Sequence, residues 1–284
     1  MANAPNTDVL TPDFWDDVLD FCHQITGEVS DRLLKDFGQL QAVEKADGSL
    51  VTDADKWSDQ TIRDAIAEVF PEHGVLSEET VHIFPDTDWC WIIDPIDGTT
   101  NFARGVPLWG ISLGLLYRGT PVFGYVCFPP IAQTFYGYWY GESGLTGPTG
   151  AYCSEPSGGD RPIQTRPDPP GKNQLFNLCA RSTAVMQQPF PCKIRMMGVA
   201  TYNCLLVASG ATLGAMEATP KIWDIAAVWA IVQAAGGTFA TLETQSVFPL
   251  VVGENYGDRP FPSLILSQAN WLSQFRPLVD CVVA

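Results

Sequence analysis

Trp91-Ile92-Ile93-Asp94-Pro95-Ile96-Asp97-Gly98-Thr99-Thr100-Asn101-Phe102 is the stretch on which the reading of this chain turns. The apolar run Trp91-Ile92-Ile93 reads as the end of a buried strand, bounded by Pro95 and Gly98. Asp94 and Asp97 leave that strand at the turn. Behind Gly98, the hydroxyls of Thr99 and Thr100 and the amide of Asn101 suit the start of a helix. Acids of the kind that ligate metals thus stand next to backbone N–H groups of the kind that bind anions. Carboxylates facing an anion site make electrostatic sense when cations lie between them. The stretch predicts a metal-dependent phosphate site.

Working outward, the 284-residue chain is long enough for one large domain or two closely joined ones. A break in the Pro/Gly-rich run Pro167–Gly171 predicts an N-terminal α+β part, 1–172, carrying most metal ligands, and an α/β part, 173–284, completing the site. Its 46% hydrophobic and 17% charged residues are those of a globular protein, and a formal charge of −16 disfavours nucleic acid and anionic membranes. No apolar run approaches the roughly 20 residues of a membrane span, and residues 1–13 carry no signal-peptide pattern, so a cytoplasmic protein is expected. Eight scattered cysteines without a Cys-x-x-Cys spacing read as reduced and largely packed, and His23, His73 and His82 form no ligand pattern. Zinc is disfavoured.

Along the chain, Thr11-Pro12-Asp13 reads as a helix start, followed by an apolar face of Phe14, Val18, Cys22, Ile25, Val29 and Leu33. Thr52 is placed to cap a second helix, with Asp53 and Asp55 in its first turn and Trp57, Ile62, Ile66 and Val69 inward. Val75-Leu76-Ser77-Glu78-Glu79 is a strand running into two acids. Residues 109–117, 121–128 and 134–140 read as strands, and 141–172 as hairpins and loops. The second half alternates: strands near 175–180, 213–218, 238–242 and 263–266, and helices near 201–209, 223–235 and 270–279. Such alternation predicts a layered α/β architecture.

Carboxylates thus cluster at element ends in four places: Asp53/Asp55, Glu78/Glu79, Asp94/Asp97 and Asp224. Taken singly, Asp224 reads as a helix N-cap, Glu78/Glu79 as a solvated strand end and Asp53/Asp55 as dipole complementation. The Asp94-x-x-Asp97 pair resists such a reading, because buried carboxylates need partners and no Lys or Arg follows before Arg104.

Asp94-Pro95-Ile96-Asp97-Gly98-Thr99-Thr100-Asn101-Phe102 resembles the signature of the inositol monophosphatase family of magnesium-dependent, lithium-sensitive phosphatases. Trp223-Asp224-Ile225-Ala226-Ala227, with Ala235-Gly236-Gly237 ending the helix, resembles its second signature. Ser77-Glu78-Glu79 is similar to the family's Gly-Glu-Glu, and Lys45 with Val51-Thr52-Asp53-Ala54-Asp55 to its N-terminal element. Two departures stand out: Ser77 replaces a glycine, and Ser154-Glu155 replaces an Asn-Gly turn after Cys153. The resemblance implies a layered αβαβα sandwich, the sugar-phosphatase fold shared with fructose-1,6-bisphosphatase, and a homodimer. The aromatic strands around Trp109, Tyr125, Tyr136 and Trp139 offer an interface, although aromatics in strands are more often core.

Hard oxygen ligands select Mg²⁺, with Mn²⁺ second. The resemblance implies one ion held by Glu78, Asp94 and the Ile96 carbonyl, a second held by Asp94, Asp97 and Asp224, and a weaker third served by Asp55 through water. Gly98 and Thr99 would bind the phosphate through their N–H groups, and water oriented by Glu78 and Thr99 would attack phosphorus in line. Glu217 matches the acid that accepts hydrogen bonds from substrate hydroxyls, and Gly198-Val199-Ala200 the backbone lining that pocket. Lys221 is the only base near Glu217 in sequence, which points to a monophosphate; a carboxylate at 217 suits a polyol, a ribose or an amino alcohol, and the resemblance implies inositol 1-phosphate. Histidinol phosphate, fructose 1,6-bisphosphate, 3′-phosphoadenosine phosphate and NADP are the alternatives within the family. A non-catalytic metal- and phosphate-binding module is the alternative from another class.

Overall fold

The structure, a computed structural model, describes residues 13–39, 41–44, 50–155, 158–187, 189–243 and 245–282. Thr11, Pro12 and Lys45 lie outside the described residues. Helix α1 (Phe14–Asp36) is followed by a two-stranded ribbon, β1 (Val43–Glu44) and β2 (Leu50–Val51), and by α2 (Asp53–Val69). Then come β3 (Gly74–Ser77), β4 (Trp89–Asp97), the short α3 (Thr99–Arg104), β5 (Gly110–Tyr117), β6 (Thr120–Phe128), β7 (Gln133–Tyr138), β8 (Gly150–Ser154) and β9 (Asp160–Ile163). The remainder is β10 (Leu175–Leu178), β11 (Lys193–Arg195), α4 (Ala200–Ala208), β12 (Gly214–Glu217), α5 (Ile222–Ala234), β13 (Thr238–Thr241), β14 (Ser263–Leu266) and α6 (Leu272–Val279).

Strands β3 to β9 lie side by side in chain order as a seven-stranded sheet, and a five-stranded sheet follows the order β11-β10-β12-β14-β13. Only β3 runs parallel to its neighbour in the large sheet, and β10 is parallel to both β11 and β12 in the small one. Helices α1 and α2 cover one face of the large sheet, packing Val18, Cys22, Ile25, Ile62 and Ile66 against Trp91, Ile93 and Ile111. Helices α4 and α5 lie between the two sheets, where Leu205, Val207, Ala227, Val228 and Ile231 meet Ile92, Val126 and Ile265 in one continuous core. Phe275 and Val279 of α6 close the outer face of the small sheet on Phe176 and Leu266. The result is the αβαβα sandwich.

Local patterning explains most of this. The α1 stripe is buried as its spacing predicts, with Trp15 rather than Phe14 as the first fully covered ring. In α2, Ile62 and Ile66 are buried, but Val69 is 52% exposed, and Phe70, four residues after Ile66, packs against that core instead. Helix α5 is apolar all round because it is enclosed by sheets on both sides. The aromatics of β5 to β7 are core: Trp109, Phe123, Tyr125, Phe135, Tyr136 and Tyr138 are all buried within the chain. Trp139, by contrast, is only half-buried.

The opening stretch holds the largest departure. Strand β4 does not end at Pro95; it continues to Asp97. Asp94 pairs with Ser112 and Asp97 with Gly110, so three steps on β4 match two on β5, with a bulge between them. Proline has no N–H to give the ladder, which makes this the natural place for the irregularity. The bulge has a consequence for the site. In a regular strand, residues three apart face opposite sides of the sheet. One extra residue restores Asp94 and Asp97 to the same side, the side covered by α4 and α5.

Candidate active site

Three elements bring their ends to this side of β4. A row of glycines, Gly114, Gly124 and Gly137, crosses β5, β6 and β7 in register. A Cβ on Gly114 would come within 2.9 Å of the Ala227 nitrogen, and one on Gly124 would overlap the Ala227 carbonyl. Helix α5 can therefore seat against bare backbone, and its first turn delivers Asp224 to β4. Carboxylate oxygens of Asp94, Asp97 and Asp224 lie within 4.8 Å of one another. Asp224 is the third residue of α5 rather than its N-cap; its Oδ2 accepts the Lys221 N–H at 2.6 Å.

Asp94 accepts the Ile96 N–H at 3.0 Å across the bulge. Asp97 ties β4 to the start of α4, accepting the N–H groups of Ala200 at 3.3 Å and Thr201 at 2.7 Å, together with the Thr201 hydroxyl. No Lys, Arg or His among the described residues forms an ion pair with Asp94, Asp97 or Asp224. Burial, then repulsion from Glu78, Asp97, Asp224 and Asp55, pushes the Asp94 carboxyl well above its ordinary value. Burial, then Asp97, does the same to Asp224, and burial raises Asp97 against its hydrogen bonds from Thr201 and Ala200. Buried carboxylates without cations are electrostatically incomplete. Oxygen-only donors at this spacing fit a hard divalent cation.

Glu78 follows β3 directly, with its N–H donated to the Ile93 carbonyl at 3.1 Å. It lines the same cleft but stands outside the close trio of carboxylates. Asp55 caps α2: its Oδ2 accepts the N–H and hydroxyl of Thr52, both at 2.6 Å, while Oδ1 accepts the Thr99 hydroxyl at 3.2 Å. Burial pushes Asp55 up to about 6 despite the Thr52 hydrogen bonds. Thr99 also reaches the Ile96 carbonyl at 3.1 Å.

A cleft of about 340 Å³ opens over these groups. Gly98 and Thr99 line it at the start of α3, where the first amides of a helix have no intrahelical acceptor. Gly98 has a φ of +91°, and a Cβ there would strike the Val199 side chain at 2.8 Å, so no larger residue fits. Gly198, Val199 and Ala200 form the adjacent wall, and Glu217 lines the cleft from the end of β12. Asn203 donates to Glu217 Oε1 at 2.7 Å, and burial pushes that carboxyl up to about 8.

The cleft also holds residues that sequence spacing does not reveal. Arg181 lines it, its Nη1 donating to Thr219 Oγ1 at 3.0 Å. Lys221, the base nearest Glu217 in sequence, instead bonds the Gly257 carbonyl at 3.0 Å. Asn203, Thr201 and Cys179 reach the site through the packing of α4 and β10, and none sits in a motif that would mark it.

A five-layer sandwich with metal-fitting carboxylates beneath a helix start defines a metal-dependent phosphoric monoester hydrolase. The family model described as the inositol monophosphatase family matches residues 15–267, and this chain belongs to that family. A fructose-1,6-bisphosphatase/inositol-1-monophosphatase of Thermotoga maritima is 32% identical over 233 residues, covering 78% of this chain and 83% of that protein. A histidinol-phosphatase of Mycobacterium tuberculosis is 32% identical over 210 residues, covering 70% and 76%. The solved structure of an IMPase from Thermotoga maritima matches with a TM-score of 0.76 at 27% identity, covering 94% of this chain and 98% of its own.

Proposed function

We propose that this phosphatase hydrolyses a small polyol or sugar monophosphate with Mg²⁺, and that inositol 1-phosphate is its leading substrate. The observation carrying this reading is the convergence of Asp94, Asp97 and Asp224 within 4.8 Å, the first two buried and Asp224 half-buried, with no ion-pair partner among the described residues, next to the amides that open α3. Asp94, Asp97 and Asp224, together with Glu78 and the Ile96 carbonyl, would hold two ions, and Asp55 would serve a third through water. When bound, such ions neutralise the phosphate and lower the pKa of an attacking water.

The chain's own groups supply orientation. Thr99, whose hydroxyl donates its one hydrogen to Asp55 or to the Ile96 carbonyl, presents its oxygen lone pair to a water. Glu78, across the cleft, accepts that water's other hydrogen. The Gly98 and Thr99 amides hold phosphate oxygens, so that in-line attack by the water forms the new P–O bond as the ester bond breaks, and the alkoxide leaves towards the second half of the chain, taking a proton from a water oriented by Asp97 or Asp224. There Glu217, steadied by Asn203, accepts substrate hydroxyls, flanked by the backbone of Gly198, Val199 and Ala200. The family resemblance further supports a homodimer and inhibition by Li⁺ at millimolar levels or below.

Arg181 favours a second reading. It brings a guanidinium into a cleft lined by Glu78, Asp97, Glu217 and Asp224, where it donates to the neutral Thr219 hydroxyl. A leaving group with a second anion suits such a cation, and the Thermotoga maritima relative is named for a bisphosphate as well as for inositol. Phosphate release with Mg²⁺ from inositol 1-phosphate, fructose 1,6-bisphosphate, 3′-phosphoadenosine 5′-phosphate, NADP and histidinol phosphate tests both readings. The first expects inositol 1-phosphate to be preferred. The second expects fructose 1,6-bisphosphate to be preferred, with Arg181→Ala raising KM for it alone. Release from none of them would return the chain to a metal- and phosphate-binding module.

A further inference from the structure

Asp59 is a carboxylate with no exposed surface, placed on α2 one turn beyond Asp55 and facing the same way. Its Oδ1 accepts the Ser77 hydroxyl, and its Oδ2 accepts Thr80 Oγ1 at 3.0 Å and Arg63 Nε at 2.9 Å. Ser77 and Thr80 bracket Glu78 and Glu79. The turn is closed by the Ser77 N–H on the Val81 carbonyl at 2.8 Å and by the His82 ring on the Glu78 carbonyl at 2.8 Å. Ser77 is also the residue that stands where the family pattern has glycine, and a glycine has no hydroxyl to offer Asp59.

We propose that Asp59 is a positioning residue for the metal site: through Ser77 and Thr80 it fixes where Glu78 stands relative to Asp94. Strand β3 is the edge of the large sheet and is held there by β4 alone, so its last residue has ladder bonds on one side only. Helix α2 supplies the other side. One stripe of that helix touches both halves of the site, with Asp55 bonded to Thr99 at the start of α3 and Asp59 to both ends of the Glu78-Glu79 turn. The helix thereby sets the spacing between the phosphate-binding turn and the Glu78 turn. A buried carboxylate is an effective anchor for the turn because the oxygens that face it stay satisfied only while Ser77 and Thr80 both keep their places.

This inference rests on the proposed role of Glu78 in holding a cation, so Mg²⁺ binding without substrate is the measurement. Calorimetric titration of the whole protein with MgCl₂ is compared for wild type, Asp59→Asn, the double variant Ser77→Ala with Thr80→Val, Thr80→Ser and Arg63→Gln. Roughly tenfold weaker Mg²⁺ binding is expected for Asp59→Asn and for the double variant, the scale of losing an outer-shell partner. Thr80→Ser keeps the hydroxyl and is expected to bind as wild type, as is Arg63→Gln, which touches neither end of the turn. Should Asp59→Asn fail to fold, the double variant decides, since it leaves Asp59 paired with Arg63. Wild-type Mg²⁺ affinity in the double variant would overturn the inference, and so would equal weakening in Arg63→Gln. A wild-type protein that takes up no Mg²⁺ would instead overturn the reading of the site itself.

Discussion

Gly124 lies directly beneath Ala227: a Cβ on the glycine would occupy the space of the Ala227 carbonyl group. Strand β6 and helix α5 thus approach to backbone contact, and that approach sets how far Asp224 reaches towards β4. Gly124→Ala is expected to push the helix off the sheet. Overpacking of this kind costs about 2–3 kcal/mol, so the thermal midpoint should fall by roughly 5 °C or more. Because Asp224 moves with α5, Mg²⁺-dependent activity should fall even at temperatures where the variant is fully folded. Circular dichroism melts and phosphate release check both effects.

Asp94→Asn and Asp224→Asn should separate stability from function. Each removes a carboxylate that burial and neighbouring acids hold well above its ordinary value, so its ionised form opposes folding at neutral pH. Without divalent cations, both variants are expected to melt no lower than wild type at pH 7.5. Their activity at saturating Mg²⁺ should fall by more than the roughly 10–100-fold that losing an outer-shell partner costs. Near-normal turnover in both would remove these residues from the site.

Stabilisation by Mg²⁺ should grow with pH. In the cation-free protein Asp94, Asp97 and Asp224 bind protons more tightly folded than unfolded, because their folded values are raised. Their contribution to stability is therefore fully present below the unfolded carboxylate value of about 4 and is lost as pH rises through the raised values. A divalent cation replaces the missing protons. The rise in melting temperature on adding Mg²⁺ should be larger at pH 7.5 than at pH 5; an equal rise at both would contradict a carboxylate-held ion.

His73 should act in the opposite sense, away from the site. Trp91 Nε1 donates to its Nδ1 at 3.1 Å, and Phe70 stacks on the ring at 4.8 Å. Burial lowers its pKa from 6.5 to about 4. Between those values the unfolded chain binds a proton that the folded one does not, so stability is lost as pH falls from about 6.5 towards 4. The loss is on the order of 2 kcal/mol once the partly exposed ring is allowed for. The difference in unfolding free energy between wild type and His73→Gln, extrapolated from urea titrations so that the acidic cluster cancels, should shrink by that amount across the window.

Much of this was legible in the residues themselves. The apolar run before Asp94, the glycine at 98 and the apolar helix after Asp224 declare their local structure, because strand burial, a positive φ and an enclosed helix each impose composition on a short stretch. Motif resemblance then named the family, and with it the reaction class.

Other features arise only when distant segments meet. Simple alternation would have put Asp94 and Asp97 on opposite faces; pairing with Ser112 and Gly110 creates the bulge that puts them on one. Aromatics in strands suggested core more than interface, and the packing of α1 shows which of them, Phe123, Tyr125, Tyr136 and Tyr138, belong to the core beneath it. Arg181 and Asp59 sit in no motif, since Thr219, Ser77 and Thr80 become their partners only through the folding of other elements. The sequence by itself determined which groups carry the chemistry, because local chemistry constrains residue type. The tertiary structure alone decided how they are aimed, because side-chain direction depends on register and on what packs behind each strand and helix.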